Sequence, residues 1–276
     1  MNSNGKNTCY IYKNDLKFND SVDLNLSEFE SDTVKLIYNN FKNKPKIELR
    51  LEDSKMENYK YLDLSKLEIT DNYLNELMGL DRIKKILSRI EFLDLANNKL
   101  KIIPNLTNYP NILYLSVSFN EITGDIFNTN LIELSCHNNQ IKSIKSPSLH
   151  RLNASNNLIS VIDVPSIQIL IISYNKLNWI DSYIGLKYLE CIENNLTKID
   201  NQIELEELYI ANNLIKGIRN MPKLKVLNCV GNPIDKIRFF PNLKILMTSV
   251  PNVSAQYIVS NISKIKSDYL VNFVVD

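Results

Sequence analysis

Apolar residues recur along most of the chain in the spacing L-x-x-L-x-L-x-x-N-x-L, where x is usually polar. The stretches "LEELYIANNLI", "LIELSCHNNQI" and "LKYLECIENNL" show this spacing, and further copies keep the same register. The alternation over L-x-L is typical of a strand with one buried face. A period of this length predicts short strands stacked side by side, so that each repeat buries its apolar face against its neighbours.

An asparagine closes each of eight copies, at successive spacings of 22, 19, 18, 18, 19, 19 and 19 residues. Inside a tight coil the backbone groups need partners, and an asparagine amide offers both donors and an acceptor. We therefore predict a buried structural ladder at these positions. Its members are Asn98, Asn120, Asn139, Asn157, Asn175, Asn194, Asn213 and Asn232. The neighbouring Asn212 is expected in an exposed turn.

The skeleton resembles the leucine-rich repeat, and the resemblance covers about ten repeats over residues 59–253. It implies an α/β repeat solenoid, an arc with a parallel β-sheet on its concave side. Repeats of 18 and 19 residues leave no room for a convex helix, so an extended segment or a single 3₁₀ turn is predicted there. Each convex segment supplies one more inward isoleucine. These are Ile144, Ile162, Ile199, Ile218 and Ile237.

Residues 1–58 are predicted to cap the amino-terminal end of the solenoid, because a solenoid otherwise exposes its core there. In "SEFESDTVKLIYNNF", Ser27 and Glu30 form a capping box that opens a predicted helix. The segment "PKIELRLED" alternates like a strand. The alternative interpretation of this region is a separate binding domain.

A helical insertion is predicted near residues 71–89, where the distance between successive asparagine slots grows to 31 residues. Residues 254–276 are expected to cap the carboxy-terminal end. There Ile258, Ile262 and Ile265 have helical spacing and precede an apolar, strand-like tail.

Composition and charge narrow the range of partners. The chain has 276 residues, of which 44% are hydrophobic, and 32 Lys plus Arg oppose 31 Asp plus Glu. So balanced a charge favours neither nucleic acid nor an anionic membrane surface as a partner. No apolar run approaches the roughly 20 residues that span a bilayer, so a cytoplasmic location is expected. Abundant Asn, Ile and Lys suggest an A+T-rich genome, as in a protist or a large DNA virus.

Three cysteines occupy the second inward position of their strands and are predicted to be core residues in a reducing compartment. They are Cys136, Cys191 and Cys229. His137 and His150 lie in adjacent repeats near Glu133, so a weak metal site was weighed against exposed polar side chains, and the second interpretation is favoured. No phosphate loop or nucleophile elbow occurs. We expect no cofactor, no metal and no enzymatic activity.

The outward positions of the predicted strands change character along the chain. In the first five repeats they are mostly polar: Asp63, Asp94, Ser116, Glu133, Ser135, Arg151, Asn153 and Ser155. Later they form an apolar stripe that Glu190 and Asn228 interrupt: Ile169, Ile171, Tyr188, Ile192, Tyr209, Val226, Val230, Ile245 and Met247. Such a stripe predicts a non-enzymatic module that binds a protein partner, or a second copy of the chain, on its concave face. A regulatory or adaptor subunit of a phosphatase or ubiquitin ligase is the alternative.

Overall fold

The computed structural model describes residues 7–11, 47–51, 61–127, 129–234, 240–249, 252–254, 264–266 and 272–274. The chain divides into two compact units, residues 1–123 and 124–276. Short parallel strands with few helices build a leucine-rich-repeat solenoid, so the predicted fold class is confirmed.

The first unit contains five strands and two helices. The strands are β1 (Asn7–Ile11), β2 (Ile47–Leu51), β3 (Tyr61–Asp63), β4 (Phe92–Asp94) and β5 (Tyr114–Ser116), and the helices are α1 (Asp71–Gly79) and α2 (Asp81–Leu87).

In the first unit, β1 and β2 pair antiparallel, whereas β3, β4 and β5 pair parallel and in register. The buried leucines Leu62, Leu93 and Leu115 stand opposite one another in that register. Both helices lie in the segment where a helical insertion is predicted. Thr70 caps α1, because its side chain accepts a hydrogen bond from the Tyr73 amide at 3.5 Å.

The second unit continues from β6, which begins at the last residue of the first unit. Its strands are β6 (Thr123–Phe127), β7 (Glu133–Ser135), β8 (Gln140–Lys145), β9 (Arg151–Asn153), β10 (Val161–Asp163), β11 (Ile169–Ile171), β12 (Tyr188–Glu190), β13 (Ile199–Asp200), β14 (Glu207–Tyr209), β15 (Ile218–Arg219), β16 (Val226–Asn228), β17 (Ile245–Met247), β18 (Asn252–Ser254), β19 (Lys264–Lys266) and β20 (Asn272–Val274).

The main sheet of the second unit is parallel, with the order β7-β9-β11-β12-β14-β16-β17-β19. The segments between its strands form short parallel sheets, β6-β8-β10 and β13-β15. These segments are therefore extended, as the short repeat predicts. Of the isoleucines predicted to point inward from them, Ile144, Ile162, Ile199 and Ile218 are buried, while Ile237 lies outside the described residues.

The core is a stack of apolar columns, one residue from each repeat. In the second unit, Leu134, Leu152, Leu170, Leu189, Leu208, Leu227 and Leu246 form one column, and all of them are buried. In-register pairing brings each leucine beside the next, because neighbouring parallel strands lie only about 4.8 Å apart. The structure of the buried core therefore follows directly from the period of the sequence.

The described strands at the carboxy-terminal end differ from part of the sequence prediction. Ile265 lies in β19, which pairs parallel with β17, and not on a helix. The tail is a strand, β20, which pairs with β18. Strand pairing takes precedence over the local apolar spacing because β17 offers an edge with unpaired backbone groups. Ile258, Ile262 and the predicted helix around Ser27 lie outside the described residues.

Candidate functional site

The repeated asparagines form a hydrogen-bonded ladder. The side-chain oxygen of Asn175 accepts from the Ile159 amide at 2.9 Å, and its nitrogen donates to the carbonyls of Ala154 and Ile172 at 3.0 and 3.1 Å. One amide thus ties its own coil to the preceding one. Seven of the eight asparagines are buried and Asn120 is half-buried, with the same pattern of bonds in the first unit.

The residue before each ladder position forms a second column that was missed in the sequence. Its members have φ between 54° and 61°, or 70° at glycine. They are Lys66, Asn97, Phe119, Asn138, Asn156, Tyr174, Glu193, Asn212 and Gly231. Asn212 is therefore exposed, as expected, but it is also the left-handed residue that turns the chain away from the strand. Asparagine tolerates this conformation better than most residues, whereas Phe119, Tyr174 and Glu193 give no such signal.

The outward side chains of the second-unit sheet form two rows that the strand register defines. The first row precedes the buried leucine of each strand and the second row follows it. From β9 to β19 the first row is Arg151, Ile169, Tyr188, Glu207, Val226, Ile245 and Lys264. The second row is Asn153, Ile171, Glu190, Tyr209, Asn228, Met247 and Lys266. We call these two rows, with Ile192 and Val230 beside them, the outer face.

All nine residues of the predicted apolar stripe lie on this outer face, and each of them is half-buried. They surround the buried leucines, which alternation along a strand explains. The stripe is less continuous than the sequence suggests, because Glu207 joins Glu190 and Asn228 in interrupting it. Glu207 was overlooked since its neighbours in the sequence are not its neighbours across the sheet.

Four side chains meet at the centre of the outer face, and we call them the tyrosine–glutamate patch: Tyr188, Glu190, Glu207 and Tyr209. Across the register, Tyr188 stands beside Glu207 and Glu190 beside Tyr209. Each tyrosine hydroxyl donates to the glutamate of its own strand, at 3.2 Å for Tyr188 and 3.0 Å for Tyr209. The two ring centroids are 5.6 Å apart and the rings are tilted by 39°.

The patch is electrostatically negative. Partial burial, followed by the charges of the neighbouring glutamates, raises the pKa of Tyr188 well above its usual range. The same causes raise the pKa of Tyr209 to about 12. A phenol beside a carboxylate resists ionisation because a second negative charge would be repelled. Both hydroxyls therefore stay protonated at neutral pH and remain hydrogen-bond donors.

In the first unit, the outward residues have a different arrangement. Asp63 and Asp94 occupy the second-row position, and each carboxylate accepts a bond from the backbone amide two residues later, at 2.9 Å. Phe92 and Tyr114 occupy the first-row position with ring centroids 6.5 Å apart. The first-unit strands are therefore not uniformly polar, which corrects the simple polar-then-apolar division that the sequence suggested.

The candidate chemical groups do not assemble into a reaction centre. Burial raises the pKa of the Cys136 and Cys191 thiols beyond the usual range and that of Cys229 to about 11, which disfavours the reactive thiolate. His137 Nδ1 lies 3.2 Å from Ser135 Oγ, whereas His150 Nδ1 lies 2.8 Å from the Ser148 carbonyl. Across the described ranges there is no group of three or more His, Cys, Asp or Glu placed to hold a metal.

The described helices include none with the length and apolarity to cross a bilayer.

Comparison with known proteins agrees with the repeat. A profile described as Leucine Rich repeats (2 copies) matches residues 203–244. Comparison with curated protein sequences gives no significant match.

Three solved structures illustrate the similarity in fold. An internalin (inlF) of Listeria monocytogenes is 22% identical with a TM-score of 0.58, over 76% of this chain and 66% of that one. A leucine-rich-repeat protein of Leptospira interrogans is 22% identical with a TM-score of 0.59, over 78% and 61%. The complex of LRIM1 with APL1C gives 20%, 0.57, 75% and 46%. The chain thus spans two thirds or less of these proteins, and at such identities the likeness concerns the fold.

Proposed function

Because this chain is a leucine-rich-repeat protein, we propose that it acts as a non-enzymatic module that binds a protein partner. The partner docks on the outer face of the second unit. Repeat sheets offer an extended surface and not an enclosed pocket, which suits recognition of another protein. One of the structural relatives, LRIM1, is itself solved in complex with a second protein, APL1C.

The observation that carries this proposal is the concentration of nine apolar or aromatic side chains on the outer face. Each of them is half-buried, so a docked partner would remove the remaining apolar surface from water. Contiguous apolar surface of this kind is unusual on a monomer unless it is functional. Tyr188 and Tyr209 suit the role of anchors, since an aromatic ring with a polar tip contributes strongly at interfaces.

The test is a triple variant, Ile171→Ser, Ile192→Ser and Tyr209→Ser. None of the three side chains belongs to the buried leucine columns, so the fold is expected to persist, as circular dichroism would show. Partners captured from native extract should be lost, and the oligomeric state should change on light scattering if the partner is a second copy. Unaltered capture together with an unaltered oligomeric state would refute docking on this face.

A matched control changes three exposed apolar residues that lie off the outer face: Val161→Ser, Trp179→Ser and Leu214→Ser. These side chains are 37%, 55% and 53% exposed. Their replacement should leave capture unchanged. Loss of partners in both variants would indicate nonspecific adhesion through apolar surface and would count against the outer face.

We also propose a reducing, intracellular location. The supporting observation is that Cys136, Cys191 and Cys229 are free thiols in the core, where no oxidising environment is required for stability. Fluorescence microscopy of the tagged protein in its native cell tests this. Accumulation in the secretory pathway would contradict it.

A further inference from the structure

The tyrosine–glutamate patch carries two negative charges on a half-buried surface without a matching positive charge. Glu190 accepts from Ser173 Oγ at 2.9 Å and from Tyr188, and Glu207 accepts from Tyr209. Among the residues that the structure describes, neither glutamate forms an ion pair with lysine or arginine. In contrast, Glu204 and Glu206, just before the same strand, have Lys223 and Lys225 nitrogens at 2.6 and 2.5 Å.

The aromatic rings of the patch give the same charge preference as the carboxylates. The rings of Tyr188 and Tyr209 lie 5.6 Å apart, on a surface that also carries Glu190 and Glu207. A cation is attracted to a ring face through the ring quadrupole, and the methylene stem of a lysine or arginine packs on apolar surface while its head stays at the polar groups. The patch therefore complements a long basic side chain.

Apolar side chains flank the patch on both sides at nearly equal distances. Ile169 and Ile171 lie on β11, one strand before Tyr188, and Val226 lies on β16, one strand after Tyr209. With strands about 4.8 Å apart, each flank lies about 7 Å from the midpoint between β12 and β14. Residues i and i+2 of an extended peptide are also separated by about 6.6 Å and point to the same side.

We propose that the outer face recognises an extended segment of a protein partner with the pattern apolar-x-basic-x-apolar, laid across the strands. The basic residue enters the tyrosine–glutamate patch, and the apolar residues pack on the isoleucines of β11 and on Val226. This inference rests on the proposed function and specifies the partner that it requires.

The experiment pans a phage-displayed library of random peptides on the immobilised full chain. The enriched sequences should carry lysine or arginine with an apolar residue two positions away on each side. A synthetic fluorescent peptide of that pattern should bind, and changing its central lysine to glutamine should weaken binding about tenfold or more, as expected for lost hydrogen bonds to a charged group. This substitution leaves the protein itself untouched.

Protein variants provide the reciprocal test. E190Q/E207Q keeps the shape of the patch and removes its charge, so it should weaken the lysine peptide about tenfold or more but affect the glutamine peptide little. E121Q/E204Q removes the same charge elsewhere and should bind both peptides as the unaltered chain does. Thermal melting confirms that all variants are folded.

The possible outcomes separate this inference from the proposed function. If lysine and glutamine peptides bind equally, or if no peptides or only peptides without a basic residue are enriched, the inference is overturned. Docking on the outer face still stands if the triple serine variant loses its captured partners. If the triple variant binds peptides and partners as the unaltered chain does, both the inference and the proposed function fail.

Discussion

Strands β4 and β5 of the first unit and strands β11 to β17 of the second present different chemistry on the same backbone. After the buried leucine, β4 carries Asp94, whose carboxylate bonds the Ala96 amide at 2.9 Å. The equivalent position holds Ile171 in β11 and Met247 in β17, which have no polar group to offer. The first-unit aspartate therefore satisfies its own backbone, whereas the second-unit side chains leave apolar surface facing outward.

The difference teaches that the outward positions are not what holds a coil together. Both regions keep parallel register, buried leucines and an asparagine with equivalent hydrogen bonds. Stability is carried by this shared interior, so the outer face can vary with the partner. The predictions below test this separation between interior and outer face.

The largest effect is expected from deleting residues 254–276. The deletion removes β19 and β20, which pair with β17 and β18 in the second unit. Unpaired strand edges and newly exposed apolar surface favour association. The truncated protein should aggregate or lose cooperative unfolding, as measured by light scattering and thermal denaturation. A soluble truncation with an unchanged melting curve would show that these strands do not cap the unit.

Replacing a ladder asparagine by alanine should destabilise either unit to a similar extent. Asn175→Ala strands the Ile159 amide and the Ala154 and Ile172 carbonyls, and Asn98→Ala strands the Ile69 amide. Unsatisfied buried groups cost about 1–3 kcal/mol, so urea denaturation should show a loss of that size for each variant. If only one variant is destabilised, the interior is not shared between the two regions.

The left-handed column should show a smaller effect that depends on backbone conformation. Gly231 has φ of 70°, and a Cβ placed there would lie 2.1 Å from Asn212 Oδ1. Gly231→Ala should cost about 1–2 kcal/mol in urea denaturation. Asn212→Gly is the control, because glycine accepts a positive φ freely. The expectation that any change at Asn212 has little effect is thus narrowed to glycine, and equal losses in both variants would contradict this account.

The smallest effect is expected from Tyr209→Phe, which removes only the hydroxyl that bonds Glu207 at 3.0 Å. A hydrogen bond at a half-buried position contributes about 0.5–1.5 kcal/mol, and we expect the lower end. Tyr114→Phe, whose ring packs near Phe92 in the first unit, is the matched control. A loss from Tyr209→Phe as large as that from Asn175→Ala would place the outer face in the stability of the coil, against the separation drawn above.

Much of the fold was predictable because its requirements are chemical and recur in every repeat. A column of leucines needs burial, and a coil needs one amide at a fixed place, so Leu170 and Asn175 announce their roles through residue type and period. Gln202 shows the limit of this approach. It is fully buried, accepts from the Tyr183 amide at 3.1 Å and donates to the Asp181 carbonyl at 2.8 Å, yet it occurs in one repeat and leaves no periodic signal.

The sequence by itself determined the strands, the buried columns and the asparagine ladder, because each depends on residue type at a repeated spacing. Only the tertiary structure decided that Tyr188 lies beside Glu207, that the two tyrosine rings meet and that the apolar stripe is half-buried. Those facts depend on the pairing of strands 19 residues apart in the sequence, as in Tyr188 with Glu207. Left-handed turns at residues as different as Phe119 and Glu193 are imposed by the closure of each coil, which no single side chain encodes.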